Sequence, residues 1–177
     1  MTNEQSIRVH SFQHWAPLGT SHFRQLYKDP PNATLAEIIR VAQLFPRFVN
    51  QEDAQDLNKP ISMGELEYTL KWFKKNKSPG PDGWSVEFYT AFFEILGEDL
   101  LKVIEECRTT GSMYEAFNFT FIDLIPKCDN PGSFNDFCPI SLCNCIYKII
   151  AKIIANHLLP ILSFHTSFEQ FAFLQDR

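Results

Sequence analysis

Apolar residues recur at three- and four-residue intervals along most of this chain and switch to alternation in a single stretch. Trp15, Phe23, Leu26 and Tyr27 predict one short helix after the Gly19-Thr20-Ser21 break, ended by Asp29-Pro30-Pro31-Asn32. Thr34 is placed to cap a helix over 35–45, with Leu35, Ile38, Ile39, Ala42 and Phe45 on one face and Pro46 as its stop. A short acidic helix follows around Glu52–Leu57. Ser62 and Glu65 have capping-box spacing, and the helix they open turns Leu66, Leu70 and Phe73 inward and carries Lys71, Lys74 and Lys75 in its last turns. Ser85 opens an aromatic-faced helix through Phe88, Tyr89, Phe92 and Phe93. Gly97 is expected to interrupt it before Glu98–Thr110 resumes, and Gly111 stops that run. Met113, Tyr114 and Phe117 read as a connecting loop.

The period then changes. Residues 119–125 are β-branched and aromatic, Asp129-Asn130-Pro131-Gly132-Ser133 is a turn by composition, and 137–142 returns as a second strand with Pro139 marking an edge or a bulge. The longest regular stripe follows over 144–159, with Ile146, Ile149, Ile150, Ile153, Ile154 and Leu158 on one side and Lys148 and Lys152 elsewhere. Pro160 is expected to end or kink it. The pattern predicts an α+β fold, mostly helical, with one antiparallel β-hairpin.

Composition narrows the picture further. The 177 residues are 45% hydrophobic and 21% charged, which is globular, and seventeen phenylalanines provide for a core or a protein-facing surface. A net charge of −5 is unusual for a nucleic-acid binder, so any such contact has to be local. No run of eighteen apolar residues occurs, so no membrane contact is expected. The first thirty residues lack the apolar core of a signal peptide, which directs an intracellular reading, nuclear or cytoplasmic. Cys107, Cys128, Cys138, Cys143 and Cys145 are irregularly spaced, which suits reduced thiols better than a zinc site.

Candidate chemistry gathers between Lys71 and Trp84, which reads KWFKKNKSPGPDGW. Pro79 and Pro81 fix φ, Gly80 and Gly83 are free to take φ > 0, and Asp82-Gly83 is itself a turn pair. A rigid basic loop between two helices is expected. The plainer account of the lysines is a helix C-terminus answering its macrodipole.

The string Lys77-Ser78-Pro79-Gly80-Pro81-Asp82-Gly83 resembles the loop that opens the fingers of non-LTR (LINE-type) retrotransposon reverse transcriptases. Leu124-Ile125-Pro126-Lys127 resembles the end of a fingers strand in that family. Asp136-Phe137-Cys138-Pro139-Ile140-Ser141-Leu142-Cys143-Asn144, followed by Tyr147-Lys148-Ile149 and Ala151-Lys152-Ile153, is similar to the family string Asp-Phe-Arg-Pro-Ile-Ser-Leu and its Tyr-Lys-Ile helix. Glu169-Gln170-Phe171-Ala172-Phe173 is similar to the segment that shortly precedes the palm. The resemblance spans about 60–177, fingers and the start of the palm, and leaves 1–59 as a linker-like region with short helices.

What the resemblance implies is a partial reverse transcriptase fold. Lys74, Lys75, Lys77, Gly80, Asp82 and Gly83 would lie near the template, and Lys127 would meet the incoming triphosphate. Cys138 stands where the family has an arginine, so the forked half of that clamp is missing. The family's two Mg²⁺ ions sit on palm aspartates that lie beyond these motifs and do not occur in this sequence, so no cofactor and no catalytic residue is expected here. Asp123, Asp129 and Asp136 are strand and turn residues rather than substitutes. Three readings compete: a truncated polymerase domain inactive alone, a recruited module binding RNA or DNA weakly or a protein partner, and a chain without a stable fold of its own. The sequence leaves the oligomeric state open.

Overall fold

The computed structural model describes residues 12–28, 34–44, 48–167 and 169. It divides into two compact units, Met1–Pro46 with Ile122–Ile140, and Arg47–Phe121 with Ser141–Arg177. Mostly helical, with a two-stranded sheet, it has the expected α+β character.

The larger unit is built around α4 (Met63–Trp72), against which α5 (Val86–Ala91), α6 (Phe93–Thr110) and α8 (Cys145–His165) pack. α3 (Gln51–Leu57) and the single turn α7 (Glu115–Asn118) lie against α8. Leu66 and Leu70 from α4, Tyr89 from α5, Leu100 and Ile104 from α6, and Ile149 and Ile153 from α8 form the buried centre. Removing any one of the large aliphatics here costs on the order of 2–5 kcal/mol. Across this core Glu105 of α6 accepts from the Ile61 backbone N–H (2.7 Å) and takes a two-pronged contact from Arg108, whose other arm donates to the Asn58 carbonyl (3.0 Å). The Arg108 hydrogen bonds hold the Glu105 carboxyl below its ordinary range against the opposing effect of burial, and the Ile61 N–H adds a smaller pull the same way.

The smaller unit holds α1 (Phe12–Leu26), α2 (Leu35–Ala42) and the outer part of the hairpin, β1 (Thr120–Pro126) and β2 (Phe137–Cys143). α1 meets the hairpin's turn through Phe134, whose ring stacks on His22 (5.4 Å) and meets Phe23 edge-on (6.0 Å). α2 is closed by a true Thr34–Glu37 capping box, yet no residue on it is buried, and Leu35, Ile38 and Ile39 lie open.

Several expectations are corrected by packing. α1 runs unbroken through Pro17 and Gly19, because Phe134 lies 3.0 Å from where a Gly19 Cβ would sit and fills that space. Gly97 does not interrupt its helix. The break falls at Phe92, and Gly97 is buried with the Phe93 ring and Met63 sulfur closing over it. α4 ends at Trp72, since Phe73 is already extended, so Lys74 and Lys75 are not on its last turn. The Ser62 hydroxyl caps α4 by accepting from the Glu65 N–H (3.1 Å), but the Glu65 carboxylate does not return to Ser62. It bonds His157 of α8 instead (2.6 Å). α8 continues past Pro160 to His165, losing only one backbone donor there.

With a mean hydropathy of 1.5, α8 is by length and composition apolar enough to cross a membrane. Its Cys145, Ile149, Ile150 and Ile153 are nonetheless buried in the core of the larger unit. Phe45 and Pro46 and the Gln170–Phe173 string lie outside the described residues.

Candidate nucleic-acid interface

The basic loop belongs to the larger unit and is fixed at four points. Asn76 takes a left-handed φ of 58°, tolerable for Asn, and its N–H donates to the Glu87 carboxylate in a short bond. That bond is the main cause holding the Glu87 carboxyl below its usual range, with the Lys75 charge a smaller one. Gly80 is buried, with an imagined Cβ only 2.5 Å and 2.6 Å from the N and Cα of Asn144. No side chain fits there, which is the physical requirement for glycine at this position. Asn144, 2% exposed, then locks the turn: its Oδ1 accepts from the Asp82 N–H (3.1 Å), while its amide donates to the Ala116 carbonyl (2.9 Å). The turn closes with Gly83 N–H on the Gly80 carbonyl (3.1 Å), Gly83 at φ 75°, and Asp82 accepting from the Trp84 N–H (3.0 Å). Lys148 reaches from α8 to the Ser78 carbonyl at 3.5 Å.

The macrodipole account of the lysines therefore holds for Lys71 alone, which pairs with Glu67 (2.7 Å) on the helix. Lys74, Lys75 and Lys77 stand exposed beyond the helix end, and none lies within ion-pair distance of a described carboxylate. Lys74 and Lys77 line a cavity of about 280 Å³ together with Phe73, Trp84, Glu87 and Lys148. Lys75 does not line it. In the sequence Lys148 stands beside an apolar stripe and within the Tyr147-Lys148-Ile149 string, and neither position shows that it flanks the loop. Its spacing of four from Lys152, on the same side of α8, was the available signal. Beneath the loop, burial first and then the Asp82 charge push the Tyr89 phenol up to about 12. Burial likewise pushes the Cys145 thiol up to about 12, with Lys148 opposing, so that thiol is inert at neutral pH.

The other expected contact, Lys127 with Cys138, lies on the hairpin. The Lys127 N–H donates to the Asp136 carbonyl (2.8 Å), and the Thr120 hydroxyl meets the Cys143 sulfur (3.5 Å) near the far end. Both pairs belong to one register, which sets Cys138 opposite Ile125 and on the same face as Lys127. Ile125, Cys138 and Ile140 on this face are exposed, whereas Leu124, Phe137 and Pro139 on the other are half-buried. The Lys127 ammonium is turned onto the Asn135 carbonyl (3.0 Å). Asp136 accepts from the Ser133 and Gly132 N–H groups (2.8 and 2.9 Å), which hold its carboxyl below the usual range, the Lys127 charge adding least.

Among the described residues no three His, Cys, Asp or Glu side chains gather to hold a metal. Asp136 is occupied by its own turn, and Asp123 accepts from the Leu124 N–H (3.0 Å). The donors present do not fit the two Mg²⁺ ions that the resemblance implies for the intact family, and no step through metal follows here.

No family model matches the chain. Over 115 residues, 65% of its length, it is 32% identical to the Transposon TX1 uncharacterized 149 kDa protein of Xenopus laevis. That stretch is 9% of the frog protein's length. The likeness supports a retrotransposon-related origin for this chain.

Proposed function

We propose that the chain is the fingers portion of a LINE-type reverse transcriptase, a piece that contacts template and incoming nucleotide and does not polymerise by itself. One observation carries the reading. The Lys77–Gly83 loop and the string that ends at Asn144 are 62 residues apart between Asp82 and Asn144, yet they interlock through Gly80, Asp82 and Asn144 with no room for a side chain. Two stretches singled out separately as family-like thus form one built unit. It presents Lys74, Lys75 and Lys77 on a fixed frame, which is what backbone binding to a phosphate chain needs. The transposon likeness supports the same origin. Exposed Leu35, Ile38 and Ile39 on α2 favour a second role, contact with further protein.

The test is binding of a labelled single-stranded RNA at low salt to the chain and to Lys74→Ala/Lys75→Ala/Lys77→Ala. The expected result is weaker binding and a slope of log K against log salt lower by about 2, at roughly 0.7 per lost contact. An unchanged slope would remove the loop from the interface. Labelled nucleotide should not be added to a primer. Incorporation that persists in Asp123→Ala/Asp129→Ala/Asp136→Ala would mean that a metal site had been overlooked.

A further inference from the structure

The lysine loop is not the end of the basic surface. α4 and α8 run alongside each other in opposite directions, and three contacts mark their seam in order: Glu65 with His157, Trp72 with Lys152, and the chain just past α4 at Ser78 with Lys148. Lys152 Nζ lies 5.2 Å from the centre of the Trp72 ring, and Tyr68 one turn earlier meets that ring edge-on at 6.3 Å. Trp72 is nonetheless 54% exposed and Tyr68 57%. Large rings fixed by their neighbours yet open on one side are unusual on a surface that offers them no apolar cover.

At the loop end of the seam Trp84 is also half open, braced on Phe88 at 4.1 Å, and it borders the cavity that Lys74, Lys77 and Lys148 line. Three acidic groups flank this path: Glu67 is paired with Lys71, while Glu87, held by the Asn76 N–H, and Asp82, accepting from the Trp84 N–H, keep their charge, against the four lysines Lys74, Lys77, Lys148 and Lys152. Lys74, Lys77, Lys148 and Lys152 therefore form a cationic stripe with open aromatic rings at both ends.

We infer that this seam is a track for single-stranded nucleic acid, with phosphates on Lys74, Lys77, Lys148 and Lys152 and bases stacked on Trp72 and Trp84. A phosphate chain matches the spaced cations, and unpaired bases match the open rings. A duplex keeps its bases stacked inside and gains nothing from Trp72. The inference rests on the nucleic-acid reading of the loop and extends it across α8 to a part of α4 that the loop does not include.

The experiment uses the full chain as Trp15→Phe/Trp84→Phe, which leaves Trp72 as the sole tryptophan, with circular dichroism as a check on folding. It is titrated with oligo(U), and in parallel with a duplex of equal length, while labelled-strand anisotropy reports binding separately. Trp72 emission should be quenched as the single strand binds and should change little with duplex. In the otherwise unaltered chain, Trp72→Ala should weaken the single strand about 5- to 150-fold, the range expected for one stacked base. Lys148→Ala and Lys152→Ala, which leave the ring in place, should each lower the salt slope by about 0.7.

Binding that depends on Lys74, Lys75 and Lys77 but leaves Trp72 emission unchanged would overturn the track and spare the loop. Quenching of Trp72 that ignores those three lysines would overturn the loop reading and, with it, the course of the track through Lys74 and Lys77. Equal affinity for duplex would overturn the single-strand assignment, and no binding at low salt would overturn both.

Discussion

Replacing Gly80 with alanine tests the frame on which the lysines stand. A Cβ there would sit 2.4 Å from Asn144 Oδ1, 2.5 Å from its N and 2.6 Å from its Cα. A side-chain amide can swing away, but the backbone at the start of α8 cannot, because Cys145 and Ile149 behind it are buried. The loop must move instead, giving up the Asp82 N–H bond to Asn144. Overpacking of this kind costs about 1–3 kcal/mol, and a lost part-buried hydrogen bond adds about 1. The expected loss for Gly80→Ala is therefore about 3 kcal/mol. Gly83→Ala is the internal control: its φ of 75° disfavours a side chain by about 1–2 kcal/mol, but nothing lies within 4 Å of the added carbon. Urea unfolding followed by circular dichroism measures both. Of the three close approaches Asn144→Ala removes only the 2.4 Å one, together with the bonds to the Asp82 N–H and the Ala116 carbonyl, so Gly80→Ala should remain destabilising in the double variant, and the two losses should not add because they share the Asp82 bond. A Gly80→Ala protein as stable as Gly83→Ala would refute the close approach, and with it the reason for glycine in the loop.

Other outcomes follow from single sites. The Thr69 hydroxyl is fully buried with no hydrogen-bond partner among the described residues, so Thr69→Val should raise stability by about 1 kcal/mol in the same urea assay. Tyr89 and Cys145 both have folded pKa values of about 12, above the ordinary values of 10.0 and 9.0. At these two groups the unfolded chain therefore releases protons first as pH rises, so their contribution to stability should be level below about pH 9 and be lost between there and pH 12. Tyr89→Phe should flatten the upper part of that fall in urea titrations at stepped pH. Cys138→Arg, on the same exposed face as Lys127, should tighten binding of a nucleoside triphosphate tenfold or more by calorimetry. No gain would remove Lys127 from a nucleotide-binding role too.

The features legible in the sequence are those decided locally. The hairpin sits within a residue of its expected limits because alternation and the Asn130-Pro131-Gly132 turn are short-range signals. Thr34 and Ser62 sit where capping chemistry puts them. The errors share a cause. Gly19, Gly97 and Pro160 all read as breaks, yet the helices run through them, and for the two glycines a side chain from elsewhere, Phe134 or Met63, fills the vacancy. Glu65 was assigned to its own N-cap and instead answers His157, 92 residues away. The loop's floor at Asn144 and its flank at Lys148 were hidden for the same reason, since nothing near Gly80 in the sequence states what Gly80 must approach.

Net charge is a weak guide to what this surface meets, and its weakness is physical. The −5 sums over the whole chain, whereas the salt dependence of binding counts only the cations that displace counterions at the contact. Beyond about 8 Å at physiological ionic strength, exposed charges are largely screened from one another. The exposed carboxylates of Glu94, Glu98, Asp99 and Glu106 lie on α6, and only Asp82 and Glu87 among the described carboxylates share the loop or its cavity with Lys74, Lys77 and Lys148. The acidic balance should therefore slow approach at low salt without lowering the number of contacts once bound. A protein-docking role for the same stripe would give the opposite pattern: open aromatic rings would still matter, but binding would hold as salt rose. The salt slope, more than the affinity, is thus the quantity that separates a phosphate partner from a protein one.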